Sequence, residues 1–260
     1  MGQTKYFKDC VVIAQARVIE GKKTSPHICT IVWDLIDNNF LRITFPFSLK
    51  ETPLKRWKRF SFLGDKTNII AGDTREETWG INKSNLFTSY MKLSQTEQKE
   101  VHKNILSVYS KYNSEQKLHE DRKSIGILIP KKSSLKVDRE ISEKEIERKK
   151  EMKKDGLFHS KYVYKITGKK YEKNIIFKNK EEKNFEKTLI ARDVFEAERQ
   201  GRDLGFISKS IYDYKNPYII IGNLPFERRA FVAVGILSAP EKYIEDYGLK
   251  TDYQPTLQLI

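Results

Sequence analysis

The sequence predicts an α+β fold: an N-terminal small β-barrel-like or curled antiparallel sheet with an amphipathic helix, then a C-terminal mixed sheet and helix domain. Three observations predict it. Five short strand-like segments separated by turns fill the first ninety residues, one strongly helical period follows, and two apolar runs face each other across a turn near the end.

Cys10–Ile19 is apolar with polar interruptions, and the turn-rich stretch Glu20 to Pro26 breaks it. His27–Trp33 alternates around Ile28, Thr30 and Val32. Asp37-Asn38-Asn39 makes a tight turn into Phe40–Phe47. Arg56–Leu63 alternates again, and Thr78–Ile81 is a fifth strand. Short strands at this spacing suit a small barrel of the OB-like or SH3-like kind, and the pattern does not choose between them.

Leu93–Tyr112 is the clearest helix. Ser94-Gln95-Thr96-Glu97 is a capping box: the serine hydroxyl accepts a backbone N–H and the glutamate reaches back. Val101, Ile105, Val108, Tyr109 and Tyr112 recur at helical spacing, as a helix packed on a core requires. Ile125–Ile129 reads as a further strand. Residues 1–130 are therefore expected to form a β-rich domain closed by the helix at 93–112.

Residues 131–158 carry almost no large apolar side chains and read as a charged linker or solvated helix. A second capping box at Ser142-Glu143-Lys144-Glu145 and an i,i+4 pair of Glu145 with Lys149 favour the helix. Residues 159–260 are expected to form an α+β domain. Its strands are Lys161–Ile166 and Lys173–Phe177, and its hairpin spans 218–237, with the apolar runs Tyr218–Ile221 and Phe231–Leu237.

The net charge is +14, from 49 Lys and Arg against 35 Asp and Glu. The excess is uneven: residues 1–90 carry +5 (14 against 9), residues 91–184 carry +10 (25 against 15), and residues 185–260 carry −1 (10 against 11). Concentrated positive charge favours a polyanionic partner. Lysine outnumbers arginine 36 to 13, a bias that AT-rich coding also produces.

Several functions lack their motifs. The Gly-Lys pairs at Gly21 and Gly168 do not have phosphate-loop spacing, and no Gly-x-Ser-x-Gly elbow occurs. His27 and Cys29 share a strand face, but no second pair completes a zinc set. No metal or other cofactor is expected. Cys10 and Cys29 suggest a reduced, cytoplasmic setting without a disulfide framework. No apolar run is long enough to span a membrane, and the N-terminus lacks a secretory core, so no membrane partner is expected.

Two stretches interleave bases with aromatics. In the first, Lys55, Arg56, Trp57, Lys58 and Arg59 open a strand, with Trp57, Arg59 and Ser61 expected on one face. In the second, Lys161, Tyr162, Tyr164 and Lys165 precede Lys169, Lys170 and Lys173, with Arg228 and Arg229 as a clamp at the hairpin tip. The expectation is a non-catalytic nucleic-acid-binding component of a larger assembly, using backbone and stacking contacts, with DNA and RNA both open. One alternative is a metal-dependent nuclease using Asp193 and Glu196, whose spacing also suits a helix cap. Another is a subunit that docks a protein partner while its basic charge is only compositional.

Overall fold

The computed structural model describes residues 3–16, 27–46, 54–66, 73, 75–81, 86–112, 114–130, 136–140, 163–166, 169–178, 183–194, 216–224 and 229–240. Strands β1 (Thr4–Gln15), β2 (His27–Asp34), β3 (Asn39–Pro46), β4 (Lys58–Asp65) and β5 (Thr78–Gly80) close into a barrel. β1 pairs antiparallel with β2, and β2 with β3. β3 runs parallel to β5, β5 meets β4 at Gly80 and Asp65, and β4 returns to β1. The circuit β1-β2-β3-β5-β4-β1 closes a small five-stranded barrel, as the alternation pattern predicts. β6 (Leu86–Lys92) adds to β4.

The first strand begins at Thr4, six residues before the apolar run, because its polar half pairs with the far end of β4 (Thr4 opposite Asp65, Phe7 opposite Phe62). The interior holds Phe7, Val12, Ile28, Val32, Phe60, Phe62 and Trp79. Phe7 stacks on Phe62 at 4.6 Å and meets Trp79 edge-on at 5.1 Å.

Helix α1 (Gln95–Tyr109) starts at the Ser94 cap, where Glu97 accepts from the Ser94 N–H at 2.7 Å and the Ser94 hydroxyl accepts from the Glu97 N–H at 3.3 Å. It buries Val101, His102, Ile105, Leu106 and Tyr109. A 3-10 turn over Ser110–Tyr112 and helix α2 (Glu115–Glu120) follow. Strands β7 (Ile125–Leu128), β12 (Pro217–Asn223) and β13 (Phe231–Ser238) make an antiparallel sheet in the order β13-β12-β7. β7 thus joins the sheet built on the 218–237 hairpin, with Ile127 opposite Ile220.

A third sheet contains β8 (Lys136–Glu140), β9 (Val163–Ile166), β10 (Lys169–Lys178) and β11 (Asn184–Thr188), all paired with β10. β8 lies within the stretch read as a charged linker. Its register sets Asp138 opposite Lys173 and Arg139 opposite Glu172.

The barrel's wall is buried on both sides. Cys10 and Val12 point into the barrel, whereas Val11, Ile13, Ile31, Trp33 and Phe40 belong to a second core shared with α1, α2 and the β13-β12-β7 sheet. Phe40 packs on Tyr109 at 4.5 Å, and the Phe40 N–H donates to the Tyr109 hydroxyl at 3.2 Å. Cys10 and Cys29 are free thiols in different cores, on opposite faces of the wall.

Candidate functional site

OB-type barrels offer the outer face of strands two and three to oligonucleotides. Here that face is filled: Cys29, Ile31, Trp33 and Phe40 are at most 6 % exposed beneath the second layer. Arg42, on the same wall, is also buried, donating to the Ser124 carbonyl at 3.0 Å and to Cys29 Sγ at 3.4 Å.

The face left open is formed by β1, β4 and β6. β4 turns Phe60 and Phe62 inward and leaves Arg59, Ser61 and Leu63 half-exposed. Beside it on β1, Tyr6 is 54 % exposed, the one exposed aromatic side chain among the described residues. Lys8, two residues on, is exposed as well. Ser61 Oγ donates to the Lys8 carbonyl. At the near end, the β4–β6 register sets Lys58 directly opposite Lys92.

The first basic and aromatic stretch lies at this edge but is largely engaged within the fold. Trp57 stands one residue before β4 with φ of 68°, so it does not share the strand face of Arg59 and Ser61. Its N–H donates to the Val12 carbonyl at 2.8 Å and its ring sits on His102 at 4.9 Å. Arg56 reaches inward to the Ile236 carbonyl at 3.3 Å and pairs with Asp193 at 2.8 Å. Arg59 forks onto Asp9 and lies 3.7 Å from Glu97. The hydrogen bonds of Asp9 raise the affinity of the Arg59 guanidinium for its proton. Lys55 is exposed and Lys58 half-exposed.

Of the second stretch, Lys161, Tyr162 and Arg228 lie outside the described residues, as does Glu196. The β9–β10 register places Tyr164 opposite Tyr171, Lys165 opposite Lys170, and Lys169 opposite Ile166. Lys173 is opposite Asp138. Arg229 is exposed before β13. Asp193 is held by Arg56 and also accepts from the Val194 N–H at 3.1 Å. Among the described residues, no three His, Cys, Asp or Glu side chains gather as a metal site, and no helix is long and apolar enough to cross a membrane.

Sequence reasoning missed Tyr6, Lys8 and Lys92. The signal was the alternation Thr4, Tyr6, Lys8 against Phe7, which lay before the apolar run that marked the strand.

No protein-family model matches the chain, and no curated protein sequence matches it. Two solved structures are distantly similar. One, described as the molecular basis for abrogation of activation of pro-inflammatory cytokines, has a TM-score of 0.32 at 13% identity, over 73% of this chain and 79% of the other. The second, a replication protein A heterotrimer bound to ssDNA, has a TM-score of 0.37 at 9% identity. That match covers 97% of this chain, which spans about half (54%) of the other.

Proposed function

We propose that this chain is a nucleic-acid-binding component that holds strands by phosphate contacts and stacking, with little base readout. The observation that carries the reading is the open barrel face: an exposed Tyr6 beside Lys8, flanked by the cross-strand pair Lys58 and Lys92. An exposed aromatic face stacks on any base, and nearby lysines neutralise phosphates. The net charge of +14 supplies the long-range attraction.

The test is binding of a fluorescent single strand and a duplex over a salt series from about 50 to 300 mM, where each phosphate contact to a single strand adds about −0.7 to the slope of log K against log salt. Binding that falls steeply with salt, and is stronger for the single strand, supports the reading. Absence of binding to either at the lowest salt overturns it.

A further inference from the structure

We infer that Asp9 is a built-in competitor of the nucleic-acid strand on the open face: its carboxylate occupies the fork of Arg59 that a phosphate would take. The inference rests on the nucleic-acid reading and adds a control to that same face.

Arg59 lies on the outer side of β4 with Ser61 and Leu63, all three half-exposed. A guanidinium offers parallel N–H groups, which hold a carboxylate or a phosphate in the same two-pronged geometry. Here both prongs are taken. Arg59 Nε donates to Asp9 Oδ1 at 2.6 Å, and Nη2 donates to Asp9 Oδ2. Glu97 lies 3.7 Å from Nη1, but its carboxylate serves the helix cap, accepting from the Ser94 N–H and hydroxyl, each at 2.7 Å. Asp9 instead gives both oxygens to Arg59.

The backbone of β1 is adjusted to make this contact. Phe7 and Cys10 both belong to the barrel interior, although they are three residues apart. Regular alternation returns to one side every second residue. β1 uses three steps from Phe7 to Cys10 where β4 uses two, from Phe62 to Phe60. The additional residue is a bulge, a device that re-aims side chains. It keeps both Lys8 and Asp9 out of the interior, and the Lys8 carbonyl there accepts from the Ser61 hydroxyl.

The pair is open to exchange. The side chains are 41 % exposed for Arg59 and 22 % for Asp9, so water screens their attraction and the bond is of modest strength. Asp9 also sets a negative charge directly after Lys8, against the sign that attracts a polyanion. Its removal frees a cation and deletes an anion at one point of the face.

The experiment uses the full chain and a fluorescent oligothymidylate of about twelve nucleotides, read by anisotropy over a salt series. Asp9→Asn keeps the size of the side chain and removes its charge. Its affinity for the strand should rise about fivefold, the effect of releasing one surface ion pair. The slope of log K against log salt should steepen by about 0.7, one further phosphate contact. The gain should vanish when Arg59→Gln is added. Deletion of a negative charge by itself would give the same gain with or without Arg59, and that result overturns the inference. Unchanged or weaker affinity in a folded Asp9→Asn chain overturns it too. If Asp9→Asn does not fold, Asp9→Ser with the same Arg59→Gln comparison reads the same coupling. No strand binding by the parent or by Asp9→Asn rejects the nucleic-acid reading itself. Binding by the parent without an Arg59-dependent gain rejects the role of Asp9 alone.

Discussion

His102 Nδ1 lies 2.7 Å from the Tyr218 hydroxyl, so one buried hydrogen bond ties α1 to β12. Burial, with a smaller effect from the Arg56 charge, pushes the His102 imidazole down from 6.5 to about 4. Burial also raises the Tyr218 hydroxyl well above its ordinary range, so both groups are neutral at neutral pH.

The unfolded chain therefore takes up a proton at His102 near pH 6.5, while the folded chain resists it until about pH 4. Stability from this group is intact above pH 6.5 and is lost as pH falls through that window. The loss is on the order of 3 kcal/mol at most. Urea midpoints measured from pH 7.5 down to about 4.5 should fall, and His102→Gln should flatten the curve.

Arg75 and Asp73 form a buried ion pair at 2.5 Å, and Arg75 Nη1 also donates to the Asn223 carbonyl at 2.7 Å. Burial and then Arg42 lower the Arg75 guanidinium, and its hydrogen bond to Asp73 opposes them. Asp73→Asn leaves a buried cation without its counter-charge and should cost about 3 kcal/mol. Chemical denaturation of the variant checks this, and a loss under about 1 kcal/mol would contradict it.

A methyl group at Gly235 would stand 2.6 Å from Ala14 Cβ, where β13 meets the barrel wall. Neither group has a rotamer with which to withdraw, so the two strands must separate. Gly235→Ala should therefore destabilise by about 1–3 kcal/mol. A melting temperature equal to that of the parent would show that this contact has more slack than the distance indicates.

At the open face, Tyr6→Ala should lose about 1–3 kcal/mol of single-strand affinity while Tyr6→Phe keeps most of it, because a base stacks on the ring rather than the hydroxyl. Lys8→Gln or Lys92→Gln should each lower the salt slope by about 0.7 with little change in sequence preference. Anisotropy titrations at three salt concentrations distinguish the stacking effect from the ionic one.

Local features were legible and long-range ones were not. The Ser94–Glu97 cap lies within four residues and announces itself, as does the apolar hairpin that became β12 and β13. The parallel pairing of β3 with β5 joins Ile43 to Trp79, and β7 meets β12 across more than ninety residues. Such pairings are decided by the assembled core rather than by a window of sequence. Trp57 and Arg56 were misleading for the same reason: a basic and aromatic run reads as a surface, yet His102 and Asp193, both distant in sequence, draw its members into the fold. Tyr6 was passed over because an exposed half-strand has no apolar run to mark it.

The double-sided wall of β1 to β3 sets how this sequence can drift. A strand with water on one side tolerates exchange at every second position, but from Cys10 to Ala14 each side chain meets one core or the other. Polar replacements there should be rejected at consecutive positions, whereas β4 should accept them alternately. Related chains are thus expected to diverge fastest on β4 and the outward half of β1, the surfaces on which a ligand preference can change without disturbing the fold.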